Sequence, residues 1–497
     1  MRISSNLFFQ TGLNSINAQQ ADLVHLYKQV GSGQRMVNPS DDPLGAAQAI
    51  NVSQTLAMSE RYASNRQVAS QNLGMQDNVL NSVTLQLQDI KTRLVEASNG
   101  TLSDLDRNTL SEVLQGARDA LLNLANSTDG NGQYLFSGSR GNRPAFSETG
   151  QYIGDSSARL IQVDQTRRMA GVDLGSDIFN RAAPGSTGFV MTPGSGNAGS
   201  GAFGNIVVTD PSGAAAGKRV DIQFVSATQY QVSVDGNDLG THTYTDPGKL
   251  LEGVQFNGVD LGVVVDFKGT PAADDVFTLA PLNSSYSISR DSTMAIANVT
   301  GFDSSQPITI RFDGTDFTAV YDSETPIGTI QVVENDGVLT LRDGGIEIGT
   351  VKLYGTPTAG SSATIQPTSG SVSREELNVF AALDEVIEML GSPASTAAES
   401  AQLRNALSSA MQRVDVTYNN VLSVRASTGT RMNELDALSS NGSARILEYK
   451  GQLSKLEDLD YYTAITQLTL RTTALEAASM AFQKIQNTSL FNINARG

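Results

Sequence analysis

The sequence predicts a multidomain α+β fold, in which N- and C-terminal helices form one bundle and an antiparallel, β-rich middle is inserted between them. Two observations lead to this prediction. Apolar residues recur at every seventh position near both ends of the chain, which is the spacing of helices that pack against other helices. Between residues 181 and 371 the apolar period changes to two, as in antiparallel strands joined by glycine-rich turns.

The two ends of the chain carry the clearest rows of apolar residues at seven-residue spacing. The first segment, 1–40, places apolar side chains seven apart at Phe9, Ile16, Leu23 and Val30. The last segment, 451–497, repeats the spacing at Tyr461, Leu468, Leu475 and Phe482, with Ile485 alongside. Helices this short are marginal in water alone, so we expect the ends to pair with each other or with neighbouring subunits. These positions form the predicted subunit interface.

The helical part that follows, 41–180, is predicted to begin at Pro43, with Asp41 or Asp42 as its cap. Its heptad row, Leu73 to Leu94, fits a core inside the chain better than an intermolecular seam. Ser103 and Asp106 form a capping-box pattern for the next helix. A second such pattern at Ser373 and Glu376 predicts that helix returns there, within a segment 372–450.

The β-rich middle repeats internally. Gly269-Thr270-Pro271 followed by Pro281 is echoed by Gly355-Thr356-Pro357 followed by Pro367, and Ile222-Gln223-Phe224 is echoed by Ile310-Arg311-Phe312. We therefore predict two related β modules, 181–290 and 291–371.

Composition narrows the function. The 497-residue chain has 39% hydrophobic and 17% charged residues, a net charge of −17 and no Cys. From 181 to 371 we count 20 acidic and 9 basic residues, so a nucleic-acid partner is not expected. No segment has the length and hydrophobicity of a membrane span, and the N-terminus lacks a cleavable signal pattern, so no membrane insertion is predicted.

Candidate chemistry is sparse. Adjacent carboxylates at Asp41 and Asp42, and the group Glu457, Asp458 and Asp460, are each interpreted as helix-start residues rather than metal ligands. His25 and His242 share no motif, and Gly31-Ser32-Gly33 lacks the ending of a phosphate-binding loop. We therefore predict no cofactor, no metal and no enzymatic activity.

Several segments nevertheless resemble one family, the hook-filament junction proteins (hook-associated protein 3) of the flagellin superfamily. Those near the start are Met1-Arg2-Ile3-Ser4, Gly33-Gln34-Arg35, Asn38-Pro39-Ser40-Asp41-Asp42-Pro43, Ala46-Ala47, Asn99-Gly100-Thr101-Leu102-Ser103 and the run from Leu124 to Gly138. Those near the end are Val424-Arg425-Ala426-Ser427-Thr428-Gly429-Thr430-Arg431 and the run from Ala474-Leu475-Glu476 to Leu490-Phe491. The middle is larger than in the shortest members.

The resemblance implies a flagellin-like helical bundle and a structural role in a ring between hook and filament. It implies neighbouring copies as partners, with hook-associated protein 1 on the hook side and flagellin and the filament cap on the other. It also implies unfolded export by the flagellar type III apparatus, with a chaperone on the C-terminal helix, and a final location outside the cell. Two alternatives stay open: a divergent flagellin, or an adhesin acting through the β modules.

Overall fold

The computed structural model describes residues 5–211, 213–282, 286–288, 294, 296–300, 307–321, 330–335, 337–343, 346–353, 357–367, 373 and 375–487. Its helices are α1 (Ser5–Ser32), α2 (Pro43–Ala97), α3 (Asp104–Ala125), α4 (Gly175–Phe179), α5 (Val379–Leu390), α6 (Ala397–Glu457) and α7 (Tyr461–Asn487). Within the described residues, no helix is both long and apolar enough to cross a membrane.

The strands fall into a small hairpin and two larger groups. The hairpin is β1 (Leu160–Gln162) with β2 (Arg168–Ala170). The first group is β3 (Phe189–Pro193), β4 (Ala202–Val208), β5 (Val220–Ser226), β6 (Gln229–Val234), β7 (Asn237–Thr243), β8 (Gly248–Leu250), β9 (Gln255–Phe256), β10 (Val259–Asp260), β11 (Val263–Lys268) and β12 (Val276–Pro281). The second is β13 (Tyr286–Ile288), β14 (Ile296–Thr300), β15 (Ile308–Phe312), β16 (Phe317–Tyr321), β17 (Gln331–Asn335), β18 (Val338–Asp343), β19 (Ile346–Leu353) and β20 (Ser362–Pro367).

The chain divides into two compact units. One comprises Met1–Ala69, Ile161–Met169 and Asn433–Gly497, and therefore holds both α1 and α7. The other comprises Ser70–Leu160 and Ala170–Met432, and holds the larger helical core and both β groups.

The heptad row of α2 lies in the core of the second unit. Leu73, Leu80, Leu87 and Leu94 are fully buried, and the last three belong to one apolar cluster with residues of α3, α5 and α6. The interpretation of this row as core is confirmed. The same cluster holds Phe146, whose ring meets the edge of Phe179 at a centroid distance of 5.4 Å.

Helix starts follow the predicted chemistry with one exception. α2 begins at Pro43, and the Oδ1 of Asp42 accepts a hydrogen bond from the Gly45 backbone N–H at 2.9 Å. The Ser103–Asp106 capping box forms at the start of α3. The prediction that helix begins at Ser373 is wrong: the Ser373–Glu376 bonds form, but they close only a turn.

Asn378 causes that difference. Its side-chain oxygen accepts hydrogen bonds from the backbone N–H groups of Phe380 and Ala381, at 3.0 and 3.4 Å, which caps α5 at Val379. The backbone of Asn378 itself is extended, so the turn that Ser373 starts cannot continue into α5.

The two β groups are built alike. The first has a five-stranded sheet, β3-β12-β5-β6-β7, and a three-stranded sheet, β4-β11-β8; the second has β13-β20-β15-β16 and β14-β19-β18-β17. Pro281 of β12 pairs with Phe189, and Pro367 of β20 pairs with Tyr286. The strand β12 thus corresponds to β20, and β3 corresponds to β13.

Other pairs preserve the same register. Phe277 and Ala363 each lie four residues before the proline of their strand. Phe277 pairs with Ile222 and Ala363 pairs with Ile310, and Ile222 and Ile310 are the first residues of the two Ile-x-Phe triplets. In the second sheets, Val265 of β11 pairs with Leu250 and Ile206, and Val351 of β19 pairs with Leu339 and Val299. The internal repeat is therefore confirmed in the register of the paired strands and in most of the strand order. One strand differs, since β7 lies beside β6 in the first group whereas β17 lies beside β18 in the second. Gly355 and Thr356 lie outside the described residues.

Candidate assembly interface

α1 and α7 pack side by side and run in opposite directions. Three contacts set their register. A Cβ placed on Gly12 would lie 3.3 Å from the ring of Phe482, Asp22 forms an ion pair with Arg471, and a Cβ on Gly33 would lie 2.9 Å from the Tyr461 hydroxyl. The contacts pair residue 12 with 482, 22 with 471 and 33 with 461, so residue numbers fall along α7 by about as many as they rise along α1. The N-terminal and C-terminal segments therefore form one helical pair.

The predicted interface residues that the structure describes lie on these two helices. Ile16, Leu23 and Val30 of α1, and Leu468, Leu475 and Phe482 of α7, are half-buried, whereas Tyr461 is 49% exposed. Phe9 and Ile485 lie on α1 and α7, but their side chains are outside the described part of the chain. Of these positions, Phe482 lies against Gly12 and Tyr461 lies near Gly33, so these two meet the N-terminal segment of the same chain.

The most buried apolar residues of this pair are others. Leu26 on α1 is 7% exposed and Ala464 on α7 is 4% exposed. Leu26 does not belong to the seven-residue row, but it lies three residues beyond Leu23, on the same face of a helix. A search for apolar residues three positions after each row member would have identified Leu26.

A second set of apolar side chains on the pair remains exposed. It comprises Leu13, Val24 and Tyr27 of α1 and Tyr462, Ile465 and Met480 of α7, with exposures of 41%, 51%, 54%, 84%, 51% and 63%. Leu470 of α7, also 69% exposed, is turned by about 160° from Leu468 and does not belong to this set. Sequence analysis missed this set, which we call the apolar flank.

The apolar flank lies on one side of the helical pair. At about 100° per residue, its α1 members are all turned in one sense from Leu23, and its α7 members are turned in that same sense from Leu468. Because the helices are antiparallel, equal senses of rotation reach the same side of the pair. Asp22 and Arg471 are turned the other way, so their ion pair lies on the opposite side.

A hydrogen-bonded clasp joins the two chain reversals next to this pair. The Arg35 backbone N–H donates to the Glu457 carbonyl at 2.7 Å, and the Leu459 N–H donates to the Gly33 carbonyl at 3.0 Å. The Nε of Arg35 also donates to the Leu456 carbonyl at 3.1 Å. The loop between α1 and α2 is thereby tied to the loop between α6 and α7.

The carboxylate of Asp41, near these chain reversals, accepts hydrogen bonds from backbone N–H groups. The Oδ2 of Asp41 accepts from the N–H groups of Asn38 and Val37 at 2.9 and 3.1 Å, and it lies 3.1 Å from the Nε2 of His25. The Asn38 bond, followed by the His25 bond, lowers the pKa of Asp41. Within the described residues, no group of three or more His, Cys, Asp or Glu side chains has metal-site geometry.

Asp460 caps α7 in the same way. Its side-chain oxygens accept from the Thr463 hydroxyl at 2.6 Å and from the backbone N–H groups of Tyr462 and Thr463 at 3.1 and 3.3 Å. The Thr463 hydroxyl bond is the main reason that the pKa of Asp460 lies below its ordinary value. Asp460 is therefore the helix-start residue that the sequence indicated. The same interpretation is wrong for Glu457, which is the last residue of α6, and for Asp458, which follows it.

The Arg425–Arg431 segment of α6 connects three elements of the second unit. The Nε of Arg425 bonds Asp77 at 2.9 Å, and Thr428 accepts from the buried amide of Gln76 at 2.9 Å. Arg431 forms an ion pair with Asp173, whose backbone N–H donates to Gln76 at 2.8 Å. The segment locks α6 to α2 and to the residues after β2.

Comparison with known families supports this layout. Residues 3–140 match the bacterial flagellin N-terminal helical region, and residues 411–493 match the bacterial flagellin C-terminal helical region. The flagellar hook-associated protein 3 of Salmonella typhimurium (strain LT2) and that of Escherichia coli (strain K12) are each 42% identical over 181 residues, or 36% of this chain. The chain spans 57% of the length of these two relatives. Flagellin of Escherichia coli O127:H6 is 24% identical over 393 residues, covering 75% of this chain and 65% of that flagellin.

Solved structures share the fold. FlgL of Xanthomonas campestris is 22% identical, with a TM-score of 0.52 over 81% of this chain and 99% of that one. The flagellar hook associated protein-3 of Legionella pneumophila is 19% identical, with a TM-score of 0.52 over 82% of this chain and 98% of that one.

Proposed function

We infer that this chain, which carries the N- and C-terminal helical regions of bacterial flagellin on either side of a β-rich middle, is a structural subunit of the junction between flagellar hook and filament. The contrast in identity supports the junction over the filament. The two hook-associated relatives reach 42% identity over 181 residues, whereas the E. coli O127:H6 flagellin reaches 24% over its longer alignment.

The geometry of the terminal helices supports an assembly role. Seam residues such as Phe482 meet α1 within the chain, which supports the apolar flank as the surface left for a neighbouring copy. Isolated exposed apolar residues are ordinary, but a one-sided set spread along two paired helices is typical of a protein interface. We propose that neighbouring subunits bury this flank, and that the predicted seam residues, from Ile16 to Phe482, support it from beneath.

The remaining partners follow from the junction role. We propose hook-associated protein 1 on the hook side, flagellin and the filament cap on the distal side, and an export chaperone that holds the C-terminal helix before assembly. Passage through the type III apparatus as an unfolded chain is compatible with the absence of Cys, since no disulfide can form on the way. The assembled protein then lies outside the cell, and we propose no catalytic function.

Two other functions are distinguished by location and binding. A divergent flagellin would lie along the whole filament, and its support is the flagellin family match at both ends. An adhesin would act through the acidic β modules and would bind a surface ligand without any assembly defect. No described feature favours the adhesin over the junction role.

Location on the flagellum tests the proposal. Because the chain has no Cys, Thr318→Cys at an exposed position of strand β16 provides one site for a maleimide dye or gold particle. We expect one narrow band at the hook–filament joint of detached flagella, and none on flagella carrying the unsubstituted chain. Label along the whole filament would identify a flagellin, and flagella that form normally without label would contradict the structural role.

A further inference from the structure

A cavity of about 830 Å³ lies within the second unit, between one side of the sheet β4-β11-β8 and helix α6. The described residues that line it include three basic side chains, Lys249, Lys268 and Arg404, and one acidic side chain, Asp266. Clefts of roughly 300 to 1,000 Å³ hold small ligands when polar groups converge on them. We call this space the basic cavity.

Strands β8 and β11 supply three of these charges. Val265 and Phe267 of β11 are fully buried in the core of the first β group, so the residues between and after them face the other way. Those residues are Asp266 and Lys268. Lys249 of β8 pairs with Asp266 in the register of the sheet and therefore lies on the same side.

Helix α6 supplies the third cation. The Phe203 backbone N–H in β4 donates to Oδ1 of Asn405 at 3.0 Å, and the Ser408 hydroxyl donates to the Phe203 carbonyl at 3.2 Å. These bonds hold the helix against β4. Arg404 precedes Ser408 by four residues, so both lie on one face of α6, and both line the basic cavity.

Strand β4 leaves room beside the acidic residue. The register between β4 and β11 shifts at Asp266, where two residues of β4, Gly204 and Asn205, stand opposite one residue of β11. Such bulges re-aim side chains and are common next to functional sites. A Cβ on Gly204 would lie 3.5 Å from the Cβ of Asp266, so any larger residue there would extend into the space beside that carboxylate.

The three basic side chains contrast with their surroundings. From 189 to 281 we count ten acidic and four basic residues. The two basic residues of this segment outside the cavity, Lys218 and Arg219, both have protein partners. Within the part of the chain that the structure describes, the basic side chains of the cavity form no ion pair or side-chain hydrogen bond. Three cations thus converge without a protein anion bound to any of them.

We propose that the basic cavity binds a small hydroxylated anion that carries two or more carboxylate or phosphate groups. The guanidinium of Arg404 can donate two parallel hydrogen bonds to one such group, and Lys249 and Lys268 supply positive charge for another. Asp266 would repel an anion that has no hydrogen-bond donor, whereas it can accept a hydrogen bond from a ligand hydroxyl. This inference is independent of the flagellar role.

Isothermal titration calorimetry of the full-length chain tests the proposal with two probes, citrate and fructose 1,6-bisphosphate, which carry carboxylates or phosphates beside hydroxyl groups. We expect at least one of them to bind at one site per chain, and the probe that binds more tightly identifies the preferred anionic group. Binding should weaken as NaCl is added, because salt screens exposed charges.

Charge removal tests the cations. An exposed ion pair changes a binding constant by up to roughly fivefold, so the double variant Lys249→Gln and Lys268→Gln should bind about tenfold more weakly. Lys352→Gln is the matched control, since Lys352 is an exposed lysine on β19 outside the cavity, and it should leave binding unchanged.

Filling the cavity leaves every charge in place. Gly204→Tyr should abolish binding while the chain still folds, because a Cβ at this position meets Asp266 only at ordinary contact distances. Val207→Tyr is the matched control, since Val207 is 50% exposed on the same strand and does not line the cavity. Asp266→Ala should weaken binding although it removes a negative charge, because the ligand hydroxyl loses its acceptor.

Failure of both probes to bind the unsubstituted chain would overturn the proposal. So would binding that survives both Gly204→Tyr and the double lysine substitution in chains whose circular dichroism spectra are unchanged. Tighter binding by the Asp266→Ala chain would overturn the assignment of a hydroxylated ligand.

Discussion

Replacement of Tyr462 by serine separates folding of one chain from assembly of many. Tyr462 is the most exposed member of the apolar flank, at 84%, whereas Leu468, on another face of α7, is half-buried. An exposed side chain contributes little to the fold, so Tyr462→Ser should change the free energy of unfolding of the free chain by no more than about 0.5 kcal/mol.

The expected effect on assembly is much larger. A tyrosine buries roughly 200 Å² when it is fully covered, so the 84% that is free amounts to roughly 170 Å². At about 25 cal/mol per Å², full burial against a neighbouring copy is worth about 4 kcal/mol, as an upper bound. Since each 1.4 kcal/mol is a factor of ten, we expect assembly to weaken by roughly two to three orders of magnitude.

The assay compares purified chain with assembled flagella. Circular dichroism and urea unfolding report the fold, while motility and the amount of chain released into the medium report assembly. Leu105→Ser is the matched control, since Leu105 is 76% exposed on α3 and outside the apolar flank. Normal flagella with Tyr462→Ser, or equal assembly defects in both variants, would refute the assignment of the flank as an interface.

Two further predictions concern stability. Gly442→Ala places a Cβ against the guanidinium of Arg66, which is 2% exposed, closer than van der Waals contact allows, and should lower the free energy of unfolding by about 1–3 kcal/mol in urea titrations. Gly451→Ala on the same helix meets nothing within 4 Å and should instead raise it by about 0.5–1 kcal/mol. The pKa of Asp460 is lowered below 3.8, chiefly by the Thr463 hydroxyl, so its stabilisation is complete above that pH and is lost as the pH falls through the folded-state value. Asp460→Asn should therefore reduce the loss of helix content as the pH falls below 3.8, and an unchanged acid titration would show that the cap does not govern that loss.

Local chemistry made much of the fold predictable. The leucine row from Leu73 to Leu94 was predictable from its spacing along one helix, and the proline start of α2 and the Ser103 capping box rest on interactions between residues close in sequence. The β repeat was predictable for a different reason: Pro281 and Pro367 end equivalent strands, and the Ile-x-Phe triplets occupy equivalent register positions.

Features that depend on distant partners were not predictable. Arg413 is almost buried because it bonds the Glu376 carbonyl and the Thr192 hydroxyl, and no local pattern marks an arginine for such a position. Ser373 had the right capping residues, yet Asn378 took over the helix start. A seven-residue row shows that Leu23 and Leu468 are covered, but it does not say by what.

The apolar flank was missed for a related reason. Its members do not repeat at seven-residue spacing, so they look like scattered apolar residues until the orientation of α1 and α7 is known. Their grouping depends on the antiparallel register of two helices from opposite ends of the chain.

The pairing of α1 with α7 also sets an order of events during synthesis. The Arg35–Leu456 hydrogen bond closes a loop of 421 residues, so α1 has no partner until nearly all of the chain has left the ribosome. Contacts between residues close in sequence, such as those between neighbouring strands of the β groups, do not depend on this late pairing. The first helix to be made is thus among the last to be covered, and its apolar side chains stay accessible to other proteins throughout translation.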